Sequence, residues 1–212
     1  MSRSFSRSRL AAVVAVALAL GLALTPALAK KKAPQTSPKI HAVVVTSVDP
    51  DEVLQASAKQ YKKGPFPLGP FRAHDTVNLY VVSVYDRRGV SGPFDQVTKF
   101  VLPDGSNYET RTMPVDPAGL PNATVRRAEL APHPVPVEKT PRMKRLARSL
   151  PPGTLTGKEA RDATYTRVVL PVSGTWITQH NLYGKWTVEV SMVQNGDTVA
   201  TANTTFTIGL GR

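Results

Sequence analysis

The strongest constraint on the fold lies in residues 165–208, where apolar and polar side chains alternate. Trp186, Val188 and Val190 are apolar, and the residues between them are polar. A period of two is typical of a β-strand with one buried face. The pair Asn195-Gly196 separates this run from a second alternating run, residues 199–208. Because both central residues of a type I′ turn need positive φ, this pattern predicts a β-hairpin.

Earlier parts of the chain predict further strands. These are residues 40–48, 76–85, 96–102, 108–115 and 168–172. The strand at 76–85 is apolar on both faces, which predicts a central strand covered on both sides. Asp104-Gly105 predicts a hairpin turn. With the closing pair the total is about seven strands, the usual number for an immunoglobulin-like sandwich.

The strand Gly184-x-Trp186-x-Val188-x-Val190, followed by a final Thr-rich strand, resembles the end of bacterial immunoglobulin-like domains. The resemblance covers about a quarter of the chain. Strand pattern and resemblance together predict an all-β fold, an immunoglobulin-like antiparallel β-sandwich over residues 40–212. They imply no activity, because such sandwiches carry many unrelated functions.

A long Pro-rich, basic insertion interrupts the predicted sandwich at residues 116–162. A connection of this length without structure is unusual inside a compact domain. We expect an extended, partly polyproline excursion carrying one short basic helix at 142–150. Alternatively, residues 123–130 add a strand.

The N-terminus indicates the compartment. Arg3, Arg7 and Arg9 precede an apolar run, and Ala27-Leu28-Ala29 offers a small-residue cleavage site. This pattern predicts a signal peptide over residues 1–29, a basic lead-in at 30–39, and a periplasmic or secreted protein. The alternative is an uncleaved N-terminal membrane anchor, which the lysines at 30–32 favour. The apolar run is marginal for a membrane span, which needs about 20 residues.

The chain is strongly basic and has no cysteine. It carries 27 Lys and Arg against 15 Asp and Glu. This excess predicts attraction to anionic surfaces such as lipid headgroups or acidic polysaccharide. Simple solubility explains the same charge. The lack of cysteine excludes a lipid-modified Cys anchor and a disulfide framework.

Two groups of side chains are candidate ligand contacts. The first is the basic cluster of the predicted helix: Arg142, Lys144, Arg145 and Arg148. Such a cluster fits an anionic polymer or a membrane surface. The same cluster is also expected on a helix that packs through its apolar residues and leaves its basic face in solvent.

The second group is aromatic, since flat rings bind sugar rings. Trp176 lies beside a loop and is the better ligand candidate, with Tyr183 near it. Trp186 occupies an alternating strand, which predicts a buried core residue.

The sequence shows no motif for catalysis, a metal or a cofactor. Ser91 and Ser173 each precede Gly outside a G-x-S-x-G pattern. The four His lack a His or Cys partner at ligand spacing. Phosphate-loop and dinucleotide motifs are also missing. We therefore expect no catalytic residue, no bound metal and no cofactor.

These observations predict an exported, non-enzymatic module with a binding, assembly or structural role at the cell envelope. The expected partner is an envelope protein, an anionic polymer or a membrane surface, and not a specific nucleic acid. An alternative is a binder of anionic polymer, glycan or lipid headgroups through the basic loop. An enzyme whose site is assembled from distant loops stays open as a third hypothesis.

Overall fold

The computed structural model describes residues 38–55, 64–86, 89, 92–116 and 143–210. The predicted signal peptide, most of the lead-in and the alternative strand at 123–130 lie outside these residues. The described residues belong to one compact unit. They form a sandwich of two β-sheets with helices on one outer face.

One sheet has three antiparallel strands in the order β1-β3-β6. Their bounds are Ile40–Thr46 for β1, Asn78–Asp86 for β3 and Ala163–Pro171 for β6. The other sheet has five strands in the order β2-β8-β7-β4-β5. Their bounds are Phe71–Arg72 for β2, Phe94–Val101 for β4, Asn107–Val115 for β5, Gly184–Gln194 for β7 and Asp197–Gly209 for β8.

The distribution of strands resembles that of immunoglobulin-like domains. The two hairpins β4–β5 and β7–β8 fall in the five-stranded sheet, and β4 pairs with β7 between them. Strands β1, β3 and β6 form the facing sheet. The predicted all-β sandwich is confirmed.

The main core lies between the two sheets. Leu79 and Val81 of β3 face Phe100 of β4 and Trp186 and Val188 of β7, and all five side chains are buried. The indole Nε1 of Trp186 donates to the carbonyl of Leu182 at 2.9 Å. Trp186 is therefore the core residue that the alternating pattern predicted.

A second apolar cluster covers the outer face of the three-stranded sheet. Val82 and Val84 of β3 pack there with Leu54 and Leu146. Leu54 belongs to helix α1 (Pro50–Gln55) and Leu146 to α2 (Met143–Ser149), so the basic helix predicted within 142–150 is present. Strand β3 is covered on both faces, as predicted. Two short helices complete the described structure, α3 (Glu159–Asp162) and α4 (Trp176–Gln179).

Both turns predicted from the sequence are present. Asn195 and Gly196 have φ values of 55° and 89°, as the hairpin between β7 and β8 requires. Gly105 has a φ of 86°, and its N–H donates to the carbonyl of Leu102 at 3.0 Å between β4 and β5.

Two local predictions need correction, and one strand was not predicted. The sequence Asp49-Pro50-Asp51-Glu52 is typical of a turn that ends the first strand, but the Asp49 carboxylate accepts from the N–H of Asp51 at 2.9 Å and α1 begins at Pro50. This is how a helix start satisfies its free N–H groups. Strand β6 begins at Ala163 rather than at 168, and the two-residue strand β2 was not predicted.

All strands except β2 run between two ends of the sandwich. At the first end, β3 finishes beside the start of β1, with Tyr85 opposite Ile40, and β7 turns into β8. We call this the hairpin end. At the opposite end lie the start of β3, the end of β6 and α4, and we call it the α4 end.

Candidate functional site

The α4 end presents an exposed tryptophan on a fixed support. Trp176 is the first residue of α4 and is 58% exposed, whereas the next residue, Ile177, is buried in the core. The Thr175 hydroxyl accepts from the N–H of Ile177 at 3.3 Å and donates to the carbonyl of Val172 at 2.7 Å. The short helix is thus fixed to the end of β6, and Trp176 projects outward.

His180 covers one side of the tryptophan. The two rings lie with centroids 3.4 Å apart and an interplanar angle of 34°. The residues are four apart, the spacing at which helical side chains meet. Because the imidazole occupies one face, the exposed area of Trp176 lies mainly on the other face and the ring edge.

Tyr183 and His74 lie at the same end of the sandwich. The Tyr183 hydroxyl is 3.5 Å from His74 Nε2 and 3.5 Å from the carbonyl of Thr178. The Ser173 hydroxyl donates to the carbonyl of His74 at 3.1 Å, which ties this segment to the turn before α4. We name Trp176, His180, Tyr183 and His74 together the aromatic–histidine surface.

Two exposed aliphatic side chains lie next to this surface along the backbone. The carbonyl of Val77 accepts from the N–H of Val172 at 2.9 Å, and Val77 is largely exposed. Leu210, also exposed, follows Gly209, whose carbonyl accepts from the N–H of Ala73 at 2.8 Å. Both residues therefore add exposed apolar area near the α4 end of the sandwich.

The basic helix is divided between the interior and the solvent. Arg145 is buried, and its Nη1 lies 3.5 Å from the carbonyl of Val53 in α1. Arg148 is exposed. Arg142 and the side chain of Lys144 lie outside the described part of the chain. The apolar side of α2 docks through Leu146 and Leu150.

A polar network that the sequence did not reveal joins α1 to β6. Arg167 lies 3.2 Å from the Asp49 carboxylate and 3.1 Å from that of Asp51, and Tyr165 donates to Asp51 at 2.6 Å. Burial raises the pKa of Asp49 above its ordinary value, and the charge of Arg167 opposes this. One guanidinium offsets part of the charge of the two carboxylates, and these contacts hold α1 on the sheet.

A cleft of about 310 Å³ opens at the hairpin end. Phe94, Val115 and Val193 give it apolar walls, and the carboxylates of Asp95 and Asp116 lie among its lining residues. The predicted ligand contacts Trp176 and Tyr183 lie at the other end of the strands. The cleft and the aromatic–histidine surface are therefore separate features.

The part of the chain that the structure describes contains neither a metal-binding cluster nor a membrane-spanning helix. No group of three or more His, Asp or Glu side chains there is arranged to hold a metal ion. Among the described helices, none has the length and apolar character needed to cross a bilayer.

Comparison with known proteins gives no family. No protein-family model matches the chain, and no curated protein matches it. Among solved structures, a glycosyl hydrolase family 2 member from Bacteroides cellulosilyticus is 10% identical, with 60% of this chain matched to 11% of that chain and a TM-score of 0.33.

Two further solved structures show a similar degree of likeness. The β-glucuronidase of Bifidobacterium dentium is 8% identical, covering 82% of this chain and 18% of that one at a TM-score of 0.33. A putative β-galactosidase from Bacteroides fragilis is 10% identical, covering 77% and 17% at a TM-score of 0.29. This chain thus spans less than a fifth of each protein it was matched to. Likeness at these TM-scores defines no activity for it.

Proposed function

We propose that this protein is an exported, non-enzymatic β-sandwich module that binds a partner at the cell envelope through the aromatic–histidine surface. The observation that carries the proposal is the exposed Trp176, which packs against His180 on a short helix anchored in the core by Ile177. Large aromatic side chains left in solvent reduce solubility, and at binding surfaces they supply much of the affinity.

The contacts that anchor the aromatic–histidine surface to the core favour a binding role for it. Ile177 anchors α4 in the core, and the Trp186 indole holds the carbonyl of Leu182 just before Tyr183. A partner therefore meets side chains whose backbone is already ordered. Binding to an ordered surface avoids the entropy cost of fixing a loop.

The test is capture of envelope material by the full mature protein and two variants. Trp176→Ala removes the exposed ring, and Leu68→Ala removes another exposed apolar side chain, which is 42% exposed and precedes β2. We expect Trp176→Ala to lose capture and Leu68→Ala to retain it. Equal capture by both variants contradicts the proposed surface, and a hydrolase activity in the purified protein contradicts the non-enzymatic role.

Export is tested separately by N-terminal sequencing of the protein isolated from cells. We expect the mature chain to begin at Lys30. A chain that begins at Met1 contradicts cleavage and favours the membrane anchor.

A second candidate function is binding of anionic polymer or lipid headgroups, and the distribution of charge favours it. The described residues carry 11 of the 27 Lys and Arg but 13 of the 15 Asp and Glu. The basic excess is therefore concentrated in the other segments, including residues 117–142. An anion binder would use those segments rather than the sheets.

This alternative is tested with anionic vesicles at rising salt. We expect affinity to fall as salt screens the charges, and Arg126→Ala with Arg127→Ala to weaken binding. Lys99→Ala, which changes an exposed pair with Glu189 on the sandwich, serves as the matched control. Binding that is insensitive to salt contradicts the charge mechanism.

A further inference from the structure

We infer that the ligand of the aromatic–histidine surface is an uncharged sugar ring, which makes the envelope partner a polysaccharide. This inference rests on the function proposed above and specifies its ligand. It follows from the shape, the hydrogen-bonding groups and the charge of the surface.

The first reason is the shape of the tryptophan site. One face of Trp176 packs against His180. Because 58% of the residue is nevertheless exposed, the opposite face is the one available to a ligand. An exposed flat face suits a ligand that also has a flat apolar face. The axial C–H groups of a sugar ring form such a face, and their partial positive charge is attracted to the negative face of the indole.

The second reason is the pair of polar groups at the same end. The Tyr183 hydroxyl and His74 Nε2 are 3.5 Å apart, longer than a strong hydrogen bond. The Tyr183 hydroxyl is also 3.5 Å from the carbonyl of Thr178, and both contacts are long enough for a ligand hydroxyl to compete with them. Sugar hydroxyls donate and accept and can therefore replace these long contacts, whereas a purely apolar ligand cannot.

The third reason is charge. The four side chains of the surface include no Asp, Glu, Lys or Arg. The nearest acid along the chain, Asp75, lies 3.7 Å from Arg72, so its charge has a partner. The carboxylates of the hairpin-end cleft lie at the opposite end of the strands. An uncharged ligand matches this surface better than a polyanion does.

The experiment titrates the mature protein with uncharged tetrasaccharides of glucose, mannose and N-acetylglucosamine, followed by tryptophan fluorescence. Trp186 is fully buried, so a ligand-induced change reports on Trp176. We expect saturable binding by at least one tetrasaccharide, a loss of about tenfold in affinity for Trp176→Ala, and a smaller loss for Trp176→Phe. Tyr183→Phe tests the hydroxyl, and Leu68→Ala is expected to bind normally. Because Trp176→Ala lacks the reporting ring, its affinity is measured by calorimetry.

The outcomes separate this inference from the proposed function. If no tetrasaccharide binds but capture of envelope material still depends on Trp176, the ligand is a protein and the sugar inference is wrong. If alginate, a polyanion, binds through Trp176 and is released by salt, the uncharged ligand is wrong. If nothing depends on Trp176, both proposals fail. The exposure of Trp176 means that the variants should fold, and far-ultraviolet circular dichroism verifies this.

Discussion

The guanidinium of Arg111, on the edge strand β5, donates a hydrogen bond to the main-chain carbonyl of Val169, on the edge strand β6 of the opposite sheet. The same side chain pairs with both carboxylate oxygens of Glu109, at 2.7 and 2.8 Å. A residue of one sheet thus satisfies a backbone acceptor of the other, which joins the two sheets along one side of the sandwich.

Replacing Arg111 by Ala should therefore destabilise the fold. The Val169 carbonyl lies in a buried strand segment and would lose its charged donor, a loss of about 1–2 kcal/mol after allowance for the partly exposed side chain. Urea unfolding of the variant measures the change in free energy. Lys99→Ala, which breaks an exposed ion pair with Glu189, should change it by less than about 0.5 kcal/mol. Equal effects of the two substitutions would contradict a stabilising hydrogen bond between Arg111 and the Val169 carbonyl.

Replacing Arg167 should lower the free energy of unfolding far more than replacing a Lys or Arg on the surface. Arg167→Met leaves the half-buried Asp49 and Asp51 carboxylates facing each other without their cation, and we expect a loss of about 3–5 kcal/mol. Adding Asp49→Asn and Asp51→Asn to Arg167→Met should restore part of this stability, because the buried charges are then gone. A triple variant that is less stable than Arg167→Met would show that the two carboxylates serve another purpose.

His41 should make stability depend on pH. Burial and the charge of Lys39 lower the pKa of His41 from 6.5, while Glu159, 3.7 Å away, and Asp86 oppose this. The unfolded chain therefore takes up the proton more readily than the folded protein. The contribution of His41 is complete above about pH 6.5 and is lost as the pH falls from there through the lowered folded-state pKa.

The measurement for His41 is the urea midpoint at pH 7.5 and at pH 5.5. We expect the protein to lose more stability between these values than His41→Gln does. Parallel pH profiles for the two proteins would contradict the assignment.

Gly184, where β7 begins, should not tolerate a side chain. Its φ is 132°, and an added Cβ would lie 2.8 Å from Cγ of Pro103. We expect Gly184→Ala to cost more than about 1 kcal/mol in thermal or urea unfolding. At Gly157 an added Cβ meets nothing within 4 Å, so Gly157→Ala should be neutral or slightly stabilising. If both variants unfold alike, the strain at Gly184 is absent.

The fold was predictable where the signal is local. Asn195-Gly196 requires positive φ whatever surrounds it, and Trp186 lies in a strand whose alternation continues over several residues. The start of β6 was not predictable. Thr166 and Arg167 are polar yet buried, because Thr166 bonds to Gln96 and Arg167 to the aspartates of α1. These partners are 70 or more residues away in the sequence, so no local pattern predicts them.

The residues of the candidate site were likewise predictable only where the sequence carries a local signal. Trp176 and Tyr183 were visible as aromatic residues close in sequence. His180 was missed, although its spacing of four from Trp176 was a usable signal once a helix was considered. His74 gave no signal, since it is 109 residues from Tyr183 and reaches it only through the fold.

The direction of β1 determines which end of the sandwich lies far from the point where the chain enters it. The chain enters the sandwich at Lys39, whose carbonyl accepts from the N–H of Asp86 at the hairpin end. Strand β3, which is antiparallel to β1, spans the sandwich from the α4 end to the hairpin end over nine residues, a length of about 30 Å. If the chain is held by the segment before Pro38, Trp176 lies on the far side of the domain from the attachment point. A molecule held by that segment would present its aromatic–histidine surface away from the attachment point, where a large ligand can reach it.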